Sequence, residues 1–201
     1  MLVAKGEETR QAILARAFEL ANVVGVAGLS IGRLAEATGL SKSGLFAHFG
    51  SKEALEVAVV EEASRQFVQD VMVPALRYPR GEPRVRALFD RWLAWGDRPG
   101  GCFFVGASAE LDDRPGPPRD ALVQANKDWI GQISTAIRIA ISEGHFRKDL
   151  DADQIAFDIY GIMLAAHTFI RFLHEPRSLD RARASFERLI ESSRAPGHRS
   201  R

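Results

Sequence analysis

Residues 30–52 read SIGRLAEATGLSKSGLFAHFGSK. The stretch holds two short helical patterns joined by a tight turn, then a second turn. Ser30 suits an N-cap, and Ile31, Leu34 and Ala35 recur at helical spacing. Gly39 marks the helix end, because the position after it requires a left-handed backbone that glycine adopts without steric conflict. Leu40 can plug the turn. Ser41 is placed to cap the next helix, whose Leu45 and Phe49 lie four apart on one face. A short helix, a turn containing Gly and a second short helix predict a helix-turn-helix at 30–49, whose second helix enters a DNA major groove.

The outward residues fit that use. Lys42 can reach guanine acceptors or a phosphate. Gly44 and Ala47 are small enough to let a helix seat deeply, and the Ala47 methyl suits a thymine methyl. His48 and Lys52 sit where phosphates would pass. The helix that starts near Ser51 adds backbone N–H groups for an anion. The other reading is a helical hairpin whose polar face is merely solvated.

Glu8 to about Phe67 resembles the DNA-binding domain of the tetracycline-repressor (TetR) family. The resemblance is carried by GLSKSGLFAHFGSKEAL, residues 39–55. It implies phosphate contacts from His48 and Lys52. It also implies base reading by Lys42, Ser43, Gly44 and Ala47, with Ser30 and Arg33 near the start of the preceding helix. Ser41 and Phe46 belong to the same implied surface. Phe46 stands where that family usually has Tyr, so a phenol-to-phosphate hydrogen bond is missing. The match covers about the first third of the chain, and the remainder agrees only in helical layout.

Composition narrows the class. The 201 residues are 46% hydrophobic, enough for a sizeable core. No apolar run is expected to approach the ~20 residues that span a bilayer, and the start, MLVAKGEETR, lacks a signal-peptide stretch. Both readings, with the single Cys102, point to a cytoplasmic, reducing setting without a membrane role. Net charge is +1, and residues 1–55 hold six cations against five anions. DNA binding would therefore depend on charge placement and on two paired subunits rather than on bulk basicity, with a modest salt dependence.

The expected fold is all-α, about nine helices: a helix-turn-helix DNA-binding domain at 8–54, a helical effector-binding and dimerisation domain at 55–193, and a flexible tail at 194–201. The first helix is expected from Glu8 to Val24, with Glu7 and Glu8 favouring its N-terminal dipole. The fourth is expected from Ser51 to about Met72, ahead of Pro74. Further helices follow near 83–96, 102–111, 119–143, 151–173 and 179–193.

The 151–173 pattern is apolar on more than one side, which calls for partners on more than one side. One reading makes it a monomer's central helix. The other pairs it and the last helix with their copies in a homodimer through residues 151–193, which the resemblance also implies. Aromatic residues crowd the second part: Trp92, Trp95, Phe103, Phe104, Trp129 and Tyr160, with Glu110 and His167 as polar companions. They either fill a core or line a small-molecule pocket. The resemblance implies an effector pocket in this half and a ligand-responsive regulator, most often a repressor, on a palindromic DNA operator. The rivals are a helical interaction module that does not bind DNA, and an enzyme. Against the enzyme, no catalytic constellation, no metal-ligand cluster and no nucleotide loop is present, so no catalytic residue, metal or cofactor is expected.

Overall fold

Ser30, Ser41, Ser51 and Asp151 each precede a helix and accept hydrogen bonds from its free N–H groups. The donors are Arg33 N (3.2 Å), Gly44 N (3.1 Å), Ala54 N (3.0 Å) and Asp153 N (2.9 Å). Each such cap stabilises its helix by about 1 kcal/mol. The computed structural model describes the backbone of residues 2–197 and the side chains of 6–197. The helices are α1 Leu2–Val24, α2 Ile31–Thr38, α3 Lys42–Phe49, α4 Lys52–Phe67, α5 Glu82–Gly96, α6 Phe103–Leu111, α7 Pro117–Ser142, α8 Ala152–His167 and α9 Ser178–Ser193. A π-helical segment, Val68–Met72, and a last turn, Val73–Leu76, prolong α4, and a second π segment, Thr168–Phe172, prolongs α8. Among the described residues the one extended pairing is an isolated bridge, Phe146 to Arg194.

Several boundaries differ from expectation. α1 begins at Leu2, so Glu7 and Glu8 lie past its first turn and do not face the dipole's positive end. α7 opens on Pro117 and Pro118, where a missing N–H costs nothing because first-turn donors have no helical acceptor. α4 does not stop before Pro74. The wider π turn just ahead carries the chain past a residue that cannot donate and whose ring crowds the preceding turn.

Packing also divides the chain differently from the expected split after residue 54. One unit comprises the chain up to Phe67 together with Arg98–Ala125; the other comprises Val68–Asp97 and the chain from Asn126 onward. In the first unit an aromatic run explains why α6 belongs with the helix-turn-helix. Phe18 meets Phe103 edge-on at 5.6 Å, Phe103 meets Phe104 at 5.6 Å, and Phe104 meets Phe67 at 5.3 Å. These rings tie α1, α6 and α4 together, and each buried ring contributes about 1.5–3 kcal/mol. Leu34, Leu45 and Phe49 complete the core under α2 and α3. Glu62 is buried but fully bonded, accepting from Gln11 (2.6 Å), Arg65 (2.6 Å) and Gln66 (2.7 Å). Burial pushes its carboxyl up; the hydrogen bonds outweigh that and leave it below the ordinary carboxylate range.

In the second unit Phe89 stacks flat on Phe186 at 3.9 Å. Beside them lies an ion cluster. Glu82, 1% exposed, accepts from Arg86 (2.7 Å) and Arg194 (2.7 and 3.0 Å), and Arg86 continues to Glu187 (2.9 Å). The chain therefore stays anchored at Arg194, and Ala195 N donates to His145 O at 3.0 Å. The tail expected from residue 194 begins after these contacts, and its residues 198–201 lie outside the described ones.

Ala152–Phe172 corrects a further expectation. Its 21 residues are apolar enough, by length and composition, to cross a bilayer, yet only 28% of its most apolar stretch is buried within the chain.

Candidate nucleic-acid interface and effector cavity

α3 buries Leu45 and Phe49 and turns its other flank outward. Lys42, Ser43, Phe46 and Ala47 are exposed, and Gly44 and His48 are half-buried. Phe46 holds its ring 56% in solvent, an apolar surface at the centre of this flank. Ser41 caps the helix and its Oγ lies 3.2 Å from Ser43 Oγ. A Cβ at Gly44 would come within 3.1 Å of that capping oxygen, a tight approach, and glycine keeps this flank low. Lys42 forms no ion pair among the described residues.

The flanking cations are less free than the sequence suggests. Lys52 donates to Ala27 O at 3.1 Å and lies 3.5 Å from the buried Glu56 carboxylate. Arg33 donates to Gly28 O at 3.3 Å. Both side chains therefore hold the turn between α1 and α2 while keeping exposed surface. Ser30 is engaged as the α2 cap. Thus the structure brings all ten expected residues to α2, α3 and the start of α4, and gives Lys52, Arg33 and the three serines structural duties as well.

The expected ligand-lining set is divided, which corrects the reading of one aromatic region. Phe103, Phe104 and Glu110 belong to the first unit, and Trp92, Trp95, Trp129, Tyr160 and His167 to the second. Sequence spacing places aromatic residues on helices but does not say which core each helix joins. Phe103 and Phe104 are core residues under α1 and α4. Glu110 accepts from Ala27 N at 3.0 Å and crowds Gly25. Gly25 has φ +83°, so the α1–α2 turn favours glycine there, and a Cβ would also push the Glu110 carboxylate aside. Phe103, Glu110, Asn22 and Cys102 line a small cavity of about 200 Å³.

The second unit holds a larger cavity, about 560 Å³, between α5, the end of α8 and the start of α9. Of the expected residues, Trp92 and His167 line it. Trp95, Trp129 and Tyr160 do not; Trp95 and Trp129 are buried, and Tyr160 donates to Asn126 Oδ1 at 3.1 Å. Sequence reasoning missed Asp90, Arg171 and Arg183 on its wall, where His174 also lies. The spacing of His167 and Arg171 was the available signal, since residues four apart along a helix share a face. Burial, and then the Arg171 charge, hold the His167 imidazole below its ordinary pKa. No cluster of three or more metal-ligating side chains occurs among the described residues.

Comparison with known proteins bears on both sites. Residues 13–59 match the family described as bacterial regulatory proteins, tetR family, and residues 81–186 match the tetracyclin repressor-like C-terminal domain. No curated protein matches the sequence. Among solved structures, a TetR transcriptional regulator from Chloroflexus aurantiacus is 30% identical, with 94% of this chain and 95% of that one covered and a TM-score of 0.83. A TetR-family regulator from Cytophaga hutchinsonii is 25% identical, with 94% and 96% covered and a TM-score of 0.83. AibR, solved with isovaleryl coenzyme A and operator DNA, shares the fold at 22% identity and a TM-score of 0.71, with 90% of this chain and 97% of that one covered.

Proposed function

Because the chain belongs to the TetR family of DNA-binding, ligand-responsive transcriptional regulators, we propose that it is a cytoplasmic homodimeric repressor whose α3 helices read a palindromic operator and whose second unit takes a small-molecule effector. The family places its activity in binding rather than catalysis. The observation that carries the DNA reading is the exposed α3 flank. A capped helix keeps small residues, a cation without an ion partner among the described residues and an uncovered aromatic ring facing outward. Lys42, Ser43, Gly44 and Ala47 would meet base edges, with Ser30 and Arg33 beside them; Ser41 caps the reading helix, and Phe46, His48 and Lys52 would lie along the phosphate backbone.

The dimer reading rests on α8. Phe157 (70% exposed) and Phe172 (80%) leave apolar surface uncovered, and Ile162, Ala165 and Phe169 border a groove with Ala182 and Ser185 of α9. A second copy offers the same surface, which is what a twofold interface requires. Two α3 helices then fit successive major-groove faces about 34–36 Å apart. The effector reading rests on the second unit's cavity, with Trp92 and His167 in its wall. A ligand that prefers one spacing of the paired heads changes operator affinity by its preference ratio. α4 is the lever, because its π segment begins where the chain passes from one unit to the other.

The test is a gel shift on palindromic sites upstream of neighbouring genes, with Lys42→Ala alongside. If Lys42 meets a base edge, the variant loses about 1–3 kcal/mol of operator affinity and discriminates less at that base pair. An even loss across all sequences would assign Lys42 to phosphate. Absence of DNA binding by the unmodified dimer would favour the interaction module.

A further inference from the structure

The second unit's cavity carries an unusual concentration of unmet chemistry. It is lined where α8 leaves α-helical geometry: the π segment Thr168–Phe172 supplies Ile170 and Arg171. His174, just beyond, also lines it and holds φ at +51° without being glycine. π turns and left-handed non-glycine residues each cost stability, and they gather where a binding site needs side chains re-aimed.

The charges lining the cavity do not all find partners. Asp90 is paired with Arg183 at 2.6 Å, and Glu175 with Arg181 at 3.5 Å. Arg171 forms no ion pair among the described residues. His167 Nε2 is buried and has no hydrogen-bond partner among the described residues. Asp97 remains as an exposed carboxylate at the end of α5. A ligand group reaching both His167 and Arg171 must accept hydrogen bonds, because the guanidinium only donates. A cation there would face the Arg171 charge. A carboxylate satisfies both groups, taking a charge-assisted bond from Arg171 and, once a side-chain shift uncovers the buried nitrogen, a second from Nε2–H.

We propose that this cavity binds an amphipathic organic acid, its carboxylate held by Arg171 and His167 and its apolar chain lying against Trp92, Leu93, Ile170 and Leu179. The proposal rests on the reading of this cavity as the effector site and names the ligand's chemical class. The low pKa of His167 agrees with it, since a neutral imidazole serves as a donor whose tautomer the ligand selects.

Calorimetric titration of the full-length chain with decanoate, decanamide and decyltrimethylammonium tests it, with tryptophan fluorescence reporting on Trp92. Decanoate is expected to bind most tightly. Arg171→Gln, at an exposed position, is expected to weaken decanoate by about tenfold or more while leaving decanamide unchanged. His167→Phe is expected to weaken decanoate selectively as well. Ala94→Trp, which fills the cavity from an exposed position, is expected to abolish binding. Tighter binding of the amide or the ammonium probe, lost in Ala94→Trp but indifferent to Arg171→Gln, would overturn the acid and leave the cavity as the effector site. Decanoate binding that survives Ala94→Trp, or no binding of any probe, would overturn both.

Discussion

Glu82→Ala is expected to destabilise the second unit by about 3–5 kcal/mol, a large share of a domain's stability. Glu82 is 1% exposed and receives three hydrogen bonds from Arg86 and Arg194. Removing it leaves two half-buried guanidinium groups facing one another without the carboxylate between them. Arg86 keeps Glu187, but Arg194 loses its only ion partner among the described residues. One of the contacts that hold the chain beyond α9 goes with it, while the backbone bond from Ala195 N to His145 O remains. Arg194→Ala alone is expected to cost less, and the double variant less than the sum, because both act on one cluster. Chemical denaturation measures each value. An effect of Glu82→Ala below about 1 kcal/mol would show that the cluster is solvated in solution.

The same carboxylate sets an acid dependence. Burial raises its pKa, but hydrogen bonds from Arg194 and Arg86 outweigh burial, so the folded value lies below the 4.5 of a free glutamate. A group depressed on folding contributes stability that is present above its unfolded pKa and lost as pH falls through its folded pKa. Stability should therefore decline below about pH 4.5, and Glu82→Ala should flatten part of that decline.

Ala165→Glu is expected to separate the dimer and, with it, to lower operator affinity by about 10²–10⁴-fold, the gain that linking two half-site contacts supplies. Ala165 is exposed in the single chain, so a carboxylate there does not disturb the protomer's core. In a twofold interface over the α8–α9 groove it would be buried twice, each copy costing several kcal/mol. Sedimentation reads the assembly and gel shift the affinity. A dimer that persists with full operator binding would place the interface elsewhere.

Residues 30–52 illustrate what local sequence is able to specify. Capping serines, a left-handed glycine and apolar residues four apart act within one or two turns, so α2, α3 and the start of α4 follow their pattern closely. The outward flank of α3 was legible for the same reason, since burial of Leu45 and Phe49 decides which side remains. The π turn in α4 was not legible. Pro74 predicted a stop, whereas packing of Val71 and Ala75 in the second unit's core holds the helix together past it.

The candidate cavity was half legible. Trp92 and His167 were recognisable as an aromatic and a titratable group in an apolar setting. Arg171, Asp90 and Arg183 come from three different helices, and nothing local marks them as neighbours. Phe103, Phe104 and Glu110 show the opposite case: their composition suggested a pocket, and long-range packing recruited them to the core and turn of the first unit.

The amino-acid order alone determined an all-helical chain, a reading helix with its exposed side, and an α8 too apolar to stand uncovered, because caps, helical periodicity and propensity operate over a few residues. Which core α6 joins, which charges find partners and which are left over were decided by the packed fold, because contacts between residues far apart in sequence depend on how whole helices are arranged.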